Sequence, residues 1–551
     1  MRNTPVITPD RQPTRRADLG WAVGAALLVA VAVAIPRIMG KPWRDRLYAG
    51  AAPLFGEWLP HIGWGTGPAV AIAALVIMYG PGLAARLSWR RLLAATWLTA
   101  IAWACALALV DGWRRGWTER LTSRDEYLHE VGGVTDIAVM LRGFSARILD
   151  FQPDSWTTHV SGHPPGALLV FVLLDRIGLG GGGWAGLLCV LAGCGAAVAI
   201  LVTLRALGAA ERARAAAPFL ALAPAAVWIA VSADALFAGV TAWAVALLAV
   251  ATRHGERWVS AALGSGLLFG FGLYLSYGLV LMAVPALAVL AARGLRPALP
   301  VVVGMLLVVG AFTAAGFWWF DGYHLVVERY YQGIASERPF SYWVWGNLAA
   351  TVCAVGLASV AALHRVAREL RPSTLWRTPE ATSKQADSEE MSPLGPHRHD
   401  DRGPATVPGP EAAGEANAAT PRSNSAVSRS SASTVGLRQA ESAAAGLSAA
   451  KRGGSAARGR SAGVLGGARS APRRWRAVVD PAALMAAAGL AALLLADLSG
   501  LSKAETERIW LPFGLWVIAG TALLPRRDMR GWLAVQAVGA LLVNHLVLTN
   551  W

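Results

Sequence analysis

The chain has 551 residues, of which 55% are hydrophobic and only 15% charged, with a mean hydropathy of +0.44. Soluble domains carry about 25% charged residues and a single soluble core stops growing beyond about 250–300 residues, so this composition excludes an ordinary water-soluble fold and points to lipid. The net charge of +16 does not argue for nucleic acid, because the arginines gather at the ends of apolar stretches and in one linker, as the positive-inside rule expects.

Apolar stretches of roughly 17–22 residues are long enough to cross the hydrocarbon core as helices. They fall near 19–38, 67–85, 92–110, 184–204, 215–231, 235–251, 258–276, 279–293, 298–317, 343–364, 477–496, 510–524 and 532–549. The expectation is an all-α, polytopic transmembrane bundle of about 13 spans with helices in its external loops. The first stretch lacks a small-residue cleavage site and is followed by many more, so it reads as a signal anchor. Cys105, Cys189, Cys194 and Cys353 all lie inside apolar stretches, where cysteine behaves as a small buried hydrophobe.

Arginine and lysine set the orientation. Residues 1–18, with Arg2, Arg11, Arg15 and Arg16, read as a cytoplasmic N-terminus, followed by N-terminal transmembrane helices over 19–110. Alternation then places Arg86/Arg90/Arg91, Arg205/Arg212/Arg214, Arg253/Arg257, Arg293/Arg296 and Arg526/Arg527/Arg530 on the cytoplasmic side. The scheme requires that 164–180 does not span; with Asp175, Arg176 and the run Gly180 to Gly183, it reads as an interfacial or partly re-entrant helix. Residues 111–183 are thus an external loop with that helix, and 184–369 a transmembrane core. Residues 370–476 are rich in Ser, Ala, Gly, Pro and Arg and read as a disordered cytoplasmic linker, with 477–551 as C-terminal transmembrane helices. One group disagrees with the rule: Arg37, Lys41, Arg44 and Arg46 fall outside.

This topology gathers the acids outside the linker into external loops. Loop 111–163 carries Arg124-Asp125-Glu126-Tyr127, His129-Glu130, Asp150, Asp154, His159 and His163. The break at 231–234 holds Ser232 and Asp234, loop 318–342 holds Asp321, His324, Glu328, Arg329, Tyr330, Glu337 and Arg338, and loop 497–509 holds Asp497, Lys503, Glu505, Glu507 and Arg508. Charges at membrane entries are expensive and usually functional. Asp125 and Glu126 are adjacent, so on a helix they point about 100° apart and cannot share a proton as a dyad. One can act as a base while the other orients it, or both are simply solvated. His163-Pro164-Pro165-Gly166 fixes a loop-to-helix junction, either as a helix stop or as a way to place His163. His159 and His163 have i, i+4 spacing, but Ser161-Gly162 and Pro164-Pro165 argue against a helical zinc pair. Arg338 and Arg508 offer planar forks that suit phosphate, or are interfacial anchors, and Glu505 and Arg508 can pair with each other. The aromatics of 318–345, Tyr330 among them, form an interfacial belt or line a sugar or prenyl groove.

The ordered set is an external Asp125-Glu126-Tyr127, then His163-Pro164-Pro165, then Ser232-x-Asp234, then a late Glu505-x-x-Arg508 before an aromatic and Pro512. It resembles the glycosyltransferase-C superfamily of polyprenyl-phosphate-sugar-dependent membrane enzymes, which includes protein mannosyltransferases, aminoarabinose transferases and actinobacterial mannosyl- and arabinosyltransferases. The resemblance covers about residues 92–364 and 477–524, and Gly166 departs from the large aliphatic residue common at that position. It implies a multi-pass cell-membrane enzyme with its active site on the extracytoplasmic side. It also implies inverting sugar transfer from a polyprenyl-phosphate donor to a glycan, lipid or protein acceptor. By position, Asp125 matches the catalytic acid with Glu126 beside it, and His163, Asp234, Tyr330, Arg338, Glu505 and Arg508 fall to substrate binding.

The residues suit that chemistry: a carboxylate can take the acceptor hydroxyl proton, and the lipid phosphate leaves already ionised, needing charge stabilisation that arginine supplies. No cofactor is required, although a divalent metal between Asp125 and Asp234 is an alternative. The partners expected are the lipid-linked donor, the acceptor and membrane lipids, with no nucleic acid. A transporter or flippase of a lipid-linked cell-envelope precursor is the competing reading; it favours charges at the midplane and two related halves, neither visible here. A scaffold acting through 370–476 leaves the external acids unexplained.

Overall fold

Apolar runs without internal polar breaks become long helices in the computed structural model, which describes residues 14–253, 255–371 and 479–550. Among the described residues, seven helices are long and apolar enough to cross a membrane: Arg15–Ile38, Thr66–Arg86, Trp89–Ala108, Gly182–Ala206, Ala233–Ala251, Trp258–Leu275 and Pro481–Leu498. Two bent pairs raise the number to nine if each is one span. Ala298–Ala314 meets Trp319–Gln332 at 75°, and Phe340–Val355 meets Leu357–Glu369 at 105°. The second bend falls at Gly356, whose φ of +83° lies where side chains are rarely tolerated. The protein is therefore a mostly helical, membrane-embedded chain.

The other four expected stretches take different forms. Stretch 215–231 is interrupted between helices Ala210–Ala221 and Ala226–Ile229, where Pro224 supplies no backbone donor. Stretch 279–293 begins as a 3₁₀ turn, Tyr277–Met282, before helix Ala283–Arg293, and 510–524 is helix Leu511–Val517 running into 3₁₀ turn Ile518–Leu523. Stretch 532–549 is helix Met529–Leu546, which includes Arg530, Gln536, Asn544 and His545 and gives way to strand β2 (Val547–Thr549). That strand pairs antiparallel with β1 (Gly56–Trp58). Segment 164–180 forms the short helix Pro165–Arg176, too short to cross. The linker expected over 370–476 lies outside the described residues except for its first two positions, and the N-terminal residues 1–13 also lie outside.

Helices Gly182–Ala206 and Ala233–Ala251 form the most intimate pair. At Gly239 an added Cβ would stand 2.1 Å from the Ala192 carbonyl oxygen, so a small residue lets the two backbones touch. Contacts divide the polar residues between two ends of the bundle. At one end Asp18 binds His364 and Arg365, Arg212 binds Asp480, and Arg526 binds Glu211. The other end gathers residues 47–58, the loop 109–163, the start of helix Ala233–Ala251, and segments 330–338 and 497–510.

Candidate functional site

The second end owes its order to buried side chains that hold loops. Asn347, on helix Phe340–Val355, donates to Asp497 at 2.9 Å and to the Ser502 carbonyl at 2.8 Å, while its oxygen accepts from Ala504 N at 3.3 Å. This fixes the 497–506 loop over the helix. Ala504 and Glu505 follow with φ of +72° and +63°, left-handed conformations that cost non-glycine residues of order 1–3 kcal/mol each. Together they set Glu505 between two arginines. Its Oε1 accepts from Arg338 Nη1 at 3.4 Å and its Oε2 from Arg508 Nη2 at 3.3 Å.

Arg508, buried on the short helix Thr506–Ile509, is the hub. Its Nη1 lies 3.0 Å from Asp234 Oδ2, in the first turn of Ala233–Ala251. Its Nη2 lies 3.2 Å from His159 Nε2. The Asp234, Glu505 and Glu126 carboxylates hold Arg508 above the ordinary arginine value despite the opposing effect of burial.

Asp125 and Glu126 sit in a turn, not a helix, and part company there: Asp125 is exposed and Glu126 is buried. Burial pushes the Glu126 carboxyl up to about 7, with Arg508 opposing and Asp234 adding to the rise. Its Oε2 has no hydrogen-bond partner among the described residues. Asp125 accepts a 3.1 Å bond from the Thr158 hydroxyl, and its backbone carbonyl accepts from His159 N at 3.0 Å and lies 2.9 Å from His159 Nδ1. Burial holds His159 well below the usual histidine range, and Arg508 adds to this. The ring is then neutral, and the two contacts assign its tautomer: Nδ1–H donates to the Asp125 carbonyl and Nε2 accepts from Arg508. His159 thereby joins the arginine hub to the backbone of Asp125.

His163 donates through Nδ1 to the His159 carbonyl at 2.8 Å and packs between Tyr127 and Phe237. Burial holds it, too, below the usual value. The Pro164-Pro165 junction thus steadies His159 through His163. Tyr330 accepts from Lys503 N at 3.1 Å, and Arg338 donates to the carbonyls of Leu47 (3.2 Å), Tyr48 (3.2 Å) and Lys503 (2.8 Å).

The structure brings buried Glu126, Asp234 and Arg508 together with half-buried His163 and Glu505 into one cluster. Arg338 is joined to it through Glu505, and Tyr330 through the Lys503 backbone. Asp125 sits on its exposed rim. Asp234 is taken up by Arg508 and Asp125 by Thr158, and among the described residues no group of three or more His, Cys, Asp or Glu side chains is arranged to hold a metal ion. Sequence reasoning missed three parts. His159 was weighed only as a zinc ligand, and Asn347 carried no signal inside an apolar stretch. Segment 47–58 passed without notice, although Leu47 and Tyr48 receive Arg338 and Phe55 N donates to buried Glu507 at 2.8 Å. Burial pushes Glu507 up to about 7. Comparison with protein-family models, with curated proteins and with solved structures finds no match for this chain.

Proposed function

We propose that this end of the bundle transfers a sugar, with inversion, from a polyprenyl-phosphate donor to the hydroxyl of a glycan, lipid or protein acceptor on the extracytoplasmic side. The observation that carries the reading is the His159 bridge. A buried arginine suited to a phosphate contacts His159 at 3.2 Å, and the same imidazole donates at 2.9 Å to the backbone carbonyl of Asp125, the residue whose exposed carboxylate is suited to a hydroxyl. Positioning two reacting groups in this way is worth far more than either alone.

In this reading Asp125 takes the proton of the acceptor hydroxyl as that oxygen attacks the sugar carbon, and the bond to the lipid phosphate breaks. Arg508 stabilises the leaving phosphate. Glu505, a carboxylate held between two guanidinium forks, occupies the kind of position a phosphate would take. The left-handed Ala504–Glu505 turn supports its exchange for the donor, because releasing it relieves backbone cost. The carbonyls around Arg338 already use most of its donors, so Arg338 acts as a positioning residue on Glu505. Glu126, buried with its Oε1 3.4 Å from His159 Nδ1, steadies His159 and adds its charge near Arg508. The orientation and the full set of 13 crossings belong to this proposal. The orientation is supported by the gathering of Arg212, Arg365 and Arg526 at the end opposite the acid cluster.

The test is radiolabelled sugar transfer from polyprenyl-phosphate donors in membranes, with donor binding measured separately. Asp125→Asn keeps size but cannot accept the proton, so transfer should fall by about 10²–10⁴-fold while binding survives. Near-normal transfer by Asp125→Asn together with a dead Glu126→Gln would move the base one residue along. The competing transporter reading draws on Glu126 as a proton site. It predicts lipid translocation without sugar transfer, and translocation that is lost in Glu126→Gln.

A further inference from the structure

The four basic residues that break the positive-inside pattern line or flank a separate cavity. It has a volume of about 440 Å³ and is lined by Arg37, Arg44, Asp45, Tyr48 and Trp58 among others. Arg37, in the last turn of helix Arg15–Ile38, donates to the Val33 carbonyl at 2.7 Å and lies over the Trp58 ring at 4.9 Å. Neither Arg37 nor Arg44 has a carboxylate partner among the described residues. The acid beside them, Asp45, is taken up by Lys41 at 2.6 Å. Two guanidiniums therefore face one cavity with their charge unbalanced, and an anion completes it.

The rim says which anion. Ile38 and Met39, which follow Arg37 in the chain, and Leu59, which follows Trp58, stand exposed, and Trp58 itself lines the cavity. Apolar side chains with a tryptophan at the end of a membrane-crossing helix form a lip for acyl or prenyl chains, while arginines at that level meet headgroups. The inner wall is shared with the candidate site: Tyr48, at a φ of +50°, hydrogen-bonds Glu337 through its hydroxyl and accepts from Arg338 through its carbonyl.

We propose that the Arg37/Arg44 cavity binds the phosphate headgroup of a membrane lipid, one per chain, beside the candidate site and distinct from it. The binding depends on these arginines and not on Asp125, so it stands or falls separately from sugar transfer.

The experiment is native mass spectrometry of the full chain in detergent, with phosphatidic acid, phosphatidylcholine and inorganic phosphate as probes. Phosphatidic acid should add to the wild type, and Arg44→Glu, which breaks no side-chain hydrogen bond among the described residues, should lose one bound lipid with at least tenfold weaker binding. Arg37→Ala/Arg44→Ala should lose the same one, and Arg37→Lys/Arg44→Lys should retain it in part. Arg46→Ala and Arg338→Lys should keep it. Undiminished binding in Arg44→Glu overturns the proposal. Loss in Arg46→Ala to the same degree overturns it as well, because the effect is then general charge. Inorganic phosphate binding as tightly as phosphatidic acid would assign the cavity to a soluble anion and overturn the lipid source. Phosphatidylcholine binding equally would show that the lip alone holds the lipid, which contradicts the role of the arginines.

Discussion

The two polar ends of this helical bundle use charge in opposite ways. At the first end, buried Asp18 is answered by Arg365, at 2.7 Å, and His364, at 2.6 Å, and Arg212 and Arg526 each have one acid. Those contacts staple the first helix to Leu357–Glu369 and neighbouring chain ends to one another. At the second end Asp234 and Glu505 contact Arg508 while Glu126 stands close by, beside two histidines that burial keeps neutral. One Glu126 oxygen is left without a hydrogen-bond partner among the described residues. Pairing serves stability; crowding acids around an arginine is costly, and it is this costly arrangement that the sugar-transfer proposal puts to use.

The sidedness of the two ends gives the largest contrast. A cysteine introduced at Gly132 should react with an impermeant thiol reagent added to intact cells, and one at Arg526 should react only after the membrane is opened. The reverse pattern would place the acid cluster on the cytoplasmic face.

Charge removal should separate the ends next. Asp18→Asn and Arg508→Met each break a buried ion pair, which typically costs about 3–5 kcal/mol of stability. Thermal unfolding in detergent should show both losses. Asp18→Asn should keep normal transfer per folded molecule, whereas Arg508→Met should lack it. Adding Asp234→Asn to Arg508→Met should restore part of the stability and none of the activity. A fully active Arg508→Met would return that residue to a structural role.

A pH series sharpens the same comparison. Burial holds the Glu126 and Glu507 carboxyls at about 7 against an ordinary value of 4.5. As pH rises from 4.5 towards 7, the unfolded chain has released protons that the folded chain still retains, so stability falls across that window. Glu126→Gln and Glu507→Gln should each flatten part of the slope, read as the unfolding midpoint against pH. A slope unchanged in the double variant would show that neither carboxyl retains its proton on folding.

Much of the architecture was legible because long apolar runs have few alternatives to a membrane helix. The interrupted segments were harder. Stretch 215–231 has the composition of a span, and only the local geometry around Pro224 reveals the break. Among site residues, Asp234, Glu505 and Arg508 announced themselves as charges at membrane entries, where polarity has a high cost. The difference between Asp125 and Glu126 could not be read, because adjacent residues in a turn part according to what packs over them. The part His159 plays with Arg508, and any part for Asn347, could not be read for a related reason. Their roles depend on Arg508, 349 positions away from His159, and on Asp497, 150 positions away from Asn347.

The smallest expected effect concerns Glu505. If it holds the place of a phosphate, Glu505→Ala should free Arg508 and tighten donor binding, by up to about tenfold for roughly 1.4 kcal/mol of competition removed. Weaker donor binding in Glu505→Ala would mean that the carboxylate helps to hold the substrate.

Whether a lipid phosphate and an acceptor hydroxyl meet at the second end is decided by a cryo-EM map of the full chain with a polyprenyl phosphate. Phosphate density should stand against Arg508, where the Glu505 carboxylate now lies, with the space beside Asp125 open to an acceptor. Phosphate density near the bilayer midplane, or confined to the Arg37/Arg44 cavity with Glu505 still between Arg338 and Arg508, would contradict it.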